Sequence, residues 1–324
     1  MNKRVDISYK TIFFIAGFLA SIWILFQIRG VIILLFIAII FMSALSPIVG
    51  YLERLKLPRT LSIIVIYILI IGALAGLISL IITPLVEQTT NLAQNLPQTI
   101  GKLIPAGSID QTILQNEISA FSKNALSFIL AIFNNFVALI SVLVLTFYLL
   151  LERSKLDQLI TQFFIGREEE RIKTIIDRIE DKLGAWMRGQ IALSFIIGLL
   201  VYITLFVLNV PYALPLSILA GILEVVPVIG PIISAIPAIA IAYVSSPILA
   251  LVVAAAFFII QQLENHFIVP QVMKRAVGLN PLVVILAVAS GGKLLGISGA
   301  LLAVPIAVVI QIITQDILRG EKID

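Results

Sequence analysis

The chain alternates between long apolar runs and short polar breaks, and the runs have the length of membrane spans. Residues 11–28 and 31–49 are the first two, separated by Arg29 and Gly30. About 20 consecutive apolar residues suffice to cross a bilayer's hydrocarbon core. The pattern predicts a helix over each run and a tight turn at Arg29–Gly30. A third run covers 61–82 and holds Gly72 and Gly76 four residues apart, a spacing that can seat a neighbouring helix. A fourth covers 125–151 and a fifth 190–208. Residues 83–124 are polar between them. There Leu85, Leu92, Leu96, Ile100 and Leu103 recur at helical spacing, and Ile109, Ile113, Ile118 and Phe121 do so after the Pro105–Gly107 break. Both sets predict amphipathic helices packed on the membrane or on each other.

A different pattern fills residues 152–188. Ile172, Ile176, Ile179, Leu183 and Trp186 step by four, three, four and three on a segment otherwise charged in both signs. This is one apolar stripe on a polar helix. It predicts a helical arm that packs on the bundle, lies on a membrane surface or meets a copy of itself, with packing on the bundle as the simplest case.

Beyond the arm, residues 189–263 contain a single charged residue, Glu224. It lies in Glu224-Val225-Val226-Pro227-Val228-Ile229-Gly230-Pro231, whose prolines and glycine break helices. The run 213–244 is too long for one straight span, and this break divides it. It forms either one broken, tilted helix that crosses or a hairpin of two half-helices that returns to the same side. Pro247 opens the next helix, which ends near Glu264-Asn265-His266, with Pro270 beyond. Residues 281–290 are apolar but too short to span. Gly291-Gly292-Lys293 follows, then a last apolar run over 294–313. That pair of runs predicts a second interrupted segment, a re-entrant piece followed by the final helix.

Charge sets the orientation. Residues 152–188 carry eight Lys or Arg, Arg54, Lys56 and Arg59 mark residues 51–60, and Lys3, Arg4 and Lys10 mark the start. The positive-inside rule puts all three in the cytoplasm, and the Lys- and Arg-poor segment 83–124 outside. A basic start before an apolar run also suits a signal peptide. Here the run is long, lacks a clear small-residue cleavage site and leads straight into another, so a first transmembrane helix with a cytoplasmic N-terminus is expected. Lys274 and Arg275 fall inside if 213–244 is a hairpin and outside if it crosses, which favours the hairpin.

Composition agrees and removes whole classes of function. The chain of 324 residues is 60% hydrophobic and 12% charged, against roughly 25% charged in soluble domains. The net charge of +4 sits in short loops between apolar spans, so it sets topology rather than binding nucleic acid. There is no cysteine and one histidine, His266. That excludes disulfides, thiolate metal sites and cysteine nucleophiles. Gly292-Lys293 fails as a phosphate loop, with Leu294 at the Ser/Thr position and Ala287 at the first glycine. No zinc or nucleophile-elbow signature is present. The expectation is an all-α polytopic membrane protein that is not an enzyme, carries no cofactor and has the lipid bilayer as its surroundings.

Glu224 carries the functional reading. A charge at mid-bilayer costs about 3 kcal/mol on insertion scales, and broken helix at that depth is tolerated only inside protein or beside a watery cavity. Transporters build ion and substrate sites from an acid at such a break. Alternatively, Glu224 is a structural acid capped by backbone N–H groups freed at the break. The candidate pathway comprises Glu224, Pro227, Gly230 and Pro231, with Glu264, Asn265 and Pro270 from the next helix end. Lys293 is either a counter-charge to an acid or a snorkelling surface residue.

The same residues resemble a known family. The run from Glu224 to Pro231 is similar to its acid-or-Asn…P-x-x-G-P signature. Gln262-Leu263-Glu264-Asn265 with Pro270 is similar to its Glu-x-Asn…Pro element, and Gly278-Leu279-Asn280-Pro281 to its G-L-x-P. Gly291-Gly292, Gly296, Gly299-Ala300, Ala303 and Pro305 keep the spacing of its terminal block. The family is the autoinducer-2 exporter-like, PerM-type permeases of bacterial inner membranes, and the order of spans matches over nearly the whole chain. His266 stands where glycine is frequent and Lys293 where an acid is common. The spans and charges read as one transmembrane unit over 1–324 with six to eight crossings: three spans in 11–82, an extracytoplasmic segment at 83–124, a cytoplasmic arm at 152–188 and a transport half at 189–317. The resemblance implies a transporter, with export of a small solute such as autoinducer-2 or sodium- or lithium-for-proton antiport, and a homo-oligomer, a pentamer. The rival reading is a membrane scaffold acting through the arm.

Overall fold

The computed structural model describes residues 9–76, 79–80, 136–163, 166–226, 229–273 and 278–320. The expected extracytoplasmic segment 83–124, Pro227, Lys274 and Arg275 lie outside these residues. The fold is all-helical. Helix α1 spans Tyr9–Gln27, α2 Arg29–Arg54, α3 Arg59–Gly76 and α4 Phe136–Phe163. Then come α5 Arg167–Val207, α6 Ala213–Leu223, α7 Ile229–Ser245 and α8 Pro247–Leu263. A π-helical turn over Glu264–Ile268 leads into α9 Val269–Met273, and α10 covers Pro281–Gly320. Among the described residues six helices are long and apolar enough to cross a membrane, namely α2, α3, α4, α5, α8 with its extension to Met273, and α10. Their outer faces show large side chains such as Phe195 at 72% and Ile248 at 75% exposure, surface that lipid covers at no hydrophobic cost.

Three apolar clusters hold the bundle. Leu193, Ile197 and Val201 of α5 pack with Leu216 and Ala220 of α6, Ala238 and Ala242 of α7, and Val253 and Phe257 of α8. Leu183 and Trp186 of α5 pack with Ile40 of α2 and Leu302 and Val304 of α10. Met42 and Val49 of α2 pack with Ile63 and Ile66 of α3 and Leu150 of α4. The upper part of the arm's stripe is thus spent on the bundle, with Ile179 partly buried against the second cluster.

Helix α5 contains no break between arm and span. Its 41 residues run about 60 Å, twice the hydrocarbon thickness, so its charged half extends beyond the bilayer. Gly184 and Gly189 sit inside it because neighbours press there: the Ser43 carbonyl of α2 occupies the place of a Gly184 Cβ, and Met273 Sδ lies 3.0 Å from the place of a Gly189 Cβ. The α2 crossing has its own logic. Pro47 lies inside α2 and has no N–H for the Ser43 carbonyl. Arg188 Nη1 donates to the carbonyls of Ser43 and Ala44, both at 3.3 Å.

Two expected turns fall elsewhere. Arg29 and Gly30 belong to the first turn of α2; the break is at Ile28, whose carbonyl accepts from Val31 and Ile32. The second interrupted segment bends at Gly296 rather than at Gly291-Gly292-Lys293. Gly296 has φ 63° and ψ −141°, a region open essentially to glycine alone. There the chain doubles back. A Cβ on Gly291 would lie 3.4 Å from the Cβ of Ala303, and one on Gly292 3.8 Å from the Cβ of Ala300, whereas twelve residues of straight helix would separate such atoms by about 18 Å. The limb after Gly296 is long enough to span; the limb before it is not.

Candidate functional site

Glu224 sits just past the last residue of α6, its N–H still donating to the Ala220 carbonyl at 3.0 Å. The chain then tightens. Val225 N–H donates to Ile222 at 3.3 Å, Val226 N–H to Leu223 at 3.0 Å, and Gly230 N–H to Val226 at 2.9 Å. Gly230 is required because the Leu223 carbonyl lies where its Cβ would go. Pro231 is buried within the first turn of α7, where a missing N–H is harmless, and Ser234 Oγ donates to its carbonyl at 3.0 Å. The break leaves Glu224 1% exposed.

Glu264 comes from the end of α8. Its carbonyl accepts from Val269 N–H, five residues on, which makes the π turn; Pro270, with no N–H to give, follows. An extra residue per turn swings a side chain out of helical register, and such turns are frequent at functional sites. Here it accompanies a Glu264 buried to 4% exposure, not an interfacial acid. The carboxyls of Glu224 and Glu264 lie close enough to interact with each other. Among the described residues, both oxygens of Glu224 and Oε2 of Glu264 are buried without a hydrogen-bond partner. A capped structural acid would accept backbone N–H bonds; among the described residues Glu224 accepts none. Two acids facing each other in a dry site repel when both are charged, and a proton or small cation between them offsets that repulsion.

Helix α5 adds two polar groups that hydropathy alone passed over. Gln190 is 2% exposed and its Nε2 donates to the Glu224 backbone carbonyl at 2.8 Å. One turn on, Ser194 Oγ is buried without a hydrogen-bond partner among the described residues. The Ser194 carbonyl lies 2.8 Å from the place of a Gly221 Cβ, and a Cβ on Gly198 would be 3.6 Å from the Gly221 Cα, so glycines let α5 and α6 touch backbone to backbone. The available signal was the i, i+4 pair of polar residues in an otherwise apolar helix.

The other predicted residues lie apart from the pair. Asn265, Pro270 and Lys293 are exposed. Among the described residues Lys293 makes no ion pair with either acid, and no three of His, Cys, Asp and Glu come together.

Relatives match the chain along most of its length. The chain is 31% identical to "Putative transport protein YrrI" of Bacillus subtilis (strain 168), over 95% of this chain and 92% of that protein. It is 29% identical to the AI-2 transport protein TqsA of Escherichia coli (strain K12), over 90% of this chain and 86% of that one. It is 25% identical to the sodium-lithium/proton antiporter of Halobacillus andaensis, over 86% and 89% respectively. The sequence pattern of the AI-2E family transporters matches residues 12–319, which takes in every span and both acids: the chain belongs to the AI-2E transporter family.

Proposed function

We propose that this chain is a secondary transporter of the bacterial inner membrane, its N-terminus cytoplasmic, that exports a small solute of the autoinducer-2 type. Glu224 acts as the proton-coupled gating group and Glu264 as its partner. The observation that carries this reading is the pairing of two buried carboxyls of which, among the described residues, both oxygens of Glu224 and Oε2 of Glu264 have no hydrogen-bond partner. A group held permanently by donors cannot exchange its ligand, whereas an unsatisfied pair takes up a proton or releases it as access changes. The two breaks, around Glu224 and at Gly296, then serve as re-entrant hairpins that surround the pathway, and the subunits assemble as a homo-oligomer through part of the exposed apolar surface.

A second reading rests on the same pair. Three unpartnered carboxyl oxygens suit a small hard cation, which takes oxygen ligands, and a relative carries the name sodium-lithium/proton antiporter. Sodium- or lithium-for-proton exchange would use Glu224 and Glu264 directly. The scaffold reading has less support, because the stripe's best-buried residues already pack on α2 and α10.

The test uses proteoliposomes of the purified chain with an imposed proton gradient and a lumenal pH dye. Addition of sodium or lithium that collapses the gradient in wild type, but not in Glu224→Gln or Glu264→Gln, establishes antiport. No response to either cation, with gradient-dependent uptake of the labelled furanone that both variants lose, establishes solute export. Wild-type behaviour of both variants for both substrates sinks the role of the pair.

A further inference from the structure

We infer that Gln190 is the positioning residue that holds Glu224 against Glu264, and that the two acids act as one unit only while that amide is in place. This rests on the reading of the acid pair given above. The carbonyl of Glu224 lies past the end of α6, where a helix's last carbonyls have no intrahelical partner. Gln190 supplies the missing donor at 2.8 Å from the middle of a helix anchored on both sides. It is therefore gripped by its main chain, and its carboxyl is left without a bond from the amide. A donor on the carboxyl itself would compete with the transported ion, and an apolar residue at 190 would leave a buried carbonyl orphaned beside two acids.

The residue type follows from the neighbours. A glutamate at 190 could not donate when ionised and would add a third acid. A lysine or arginine would bring a permanent counter-charge. Among the described residues the one charged side chain shown to interact with the Glu224 carboxyl is Glu264, from the π turn. Helix α5 contributes the neutral Gln190, whose amide reaches the Glu224 main chain. Arg188 is engaged with carbonyls of α2. Within this neutral setting among the described residues, the Gln190 amide anchors the backbone from which the Glu224 side chain projects.

The experiment measures the coupling between the acids and needs no knowledge of the solute. Dicyclohexylcarbodiimide reacts with protonated carboxyls in apolar surroundings, and its adduct at Glu224 is read by peptide mass spectrometry of the full-length protein in proteoliposomes. In wild type, Glu264→Gln is expected to change the labelling rate of Glu224 roughly tenfold or more, the size of a strong interaction in a double-mutant cycle. In a Gln190→Leu background the same change is expected to fall below about twofold. Leu193→Ala, a buried apolar neighbour on the same helix, controls for general loosening and should keep the wild-type coupling. Gln190→Asn, one methylene short, should behave as Gln190→Leu.

Each result decides. Full coupling in the Gln190 variants overturns the inference and leaves the acid pair standing. Absent labelling of Glu224 in wild type, or no effect of Glu264→Gln there, removes the pair itself. Loss of folded protein in both Gln190 variants while Leu193→Ala folds would also overturn it, by making Gln190 a folding residue.

Discussion

The carbonyl of Gly291 occupies the place where a Cβ on Gly299 would have to stand, and the carbonyl of Gly299 does the same to Gly291. The two limbs of α10 therefore touch main chain to main chain. Gly291→Ala and Gly299→Ala should each destabilise the protein by about 1–3 kcal/mol or more, the usual penalty of overpacking. Gly292→Ala, whose new methyl would find a neighbour at an ordinary 3.8 Å, should stay within about 0.5 kcal/mol of wild type. Thermal midpoints in detergent check the contrast; equal effects at 292 and 299 would mean that the limbs do not meet this way.

Arg188 and Pro47 should behave as a compensating pair. Arg188→Leu removes the donor to the Ser43 and Ala44 carbonyls and should cost about 1–3 kcal/mol, the penalty for a buried acceptor left unpaired. Pro47→Ala restores a helical N–H to Ser43, so the double variant should lose less than the sum of the singles. Strict additivity in thermal unfolding would contradict the crossing.

Two arginines that tie the arm through ion pairs should contribute unequally. Arg153 reaches Glu180 at 2.9 Å and Asp177 at 3.1 Å with its own side chain only 15% exposed. Arg171 reaches Asp316 at 2.7 Å but is 51% exposed. Exposed pairs contribute about 0.2–1 kcal/mol and fade with salt. Arg153→Gln should therefore lower the thermal midpoint more than Arg171→Gln, and the Arg171 effect should vanish first as potassium chloride is raised.

Glu224→Leu should separate stability from function. A buried carboxyl that has no hydrogen-bond partner among the described residues costs free energy that an apolar side chain of similar size does not. The variant should unfold at the same temperature as wild type or higher, while the transport proposed above is lost. Unfolding at a markedly lower temperature would show that Glu224 holds the break together.

Much of this architecture was legible in the chain. Pro247 after Ser246, the end of α5 near Asn209 and the break after Leu223 all follow from proline, glycine and the length of apolar runs. The continuity of α5 did not, because hydropathy marks where a bilayer ends and not where a helix ends. The bend at Gly296 was misplaced by a few residues for a similar reason. Gly291, Gly292, Gly296 and Gly299 look alike in sequence, and only the opposing limb decides which one turns the chain and which make room for it. Glu264 was legible only as a residue at a helix end, because a one-residue π insertion leaves no trace in helical periodicity beyond a later proline. Gln190 looked like the polar edge of a span; its partner is a main-chain carbonyl 34 residues away, which no side-chain pattern announces.

Helix α5 runs unbroken from Arg171 to Gln190, a distance of about 28 Å, with one end in the aqueous arm and the other on the backbone of Glu224. A rod of that kind has no hinge in which to lose a movement. A push at the charged end reaches the acid pair as a tilt, a slide or a rotation of the whole helix, and a tilt of some 5° about the Gln190 level displaces Arg171 by about 2.5 Å. Conversely, on the proposed reading of the acid pair, an ion taken up there that shifted the end of α6 would move the far end of the same helix. The arm is in that sense the external pointer of a gauge whose working part lies in the bilayer.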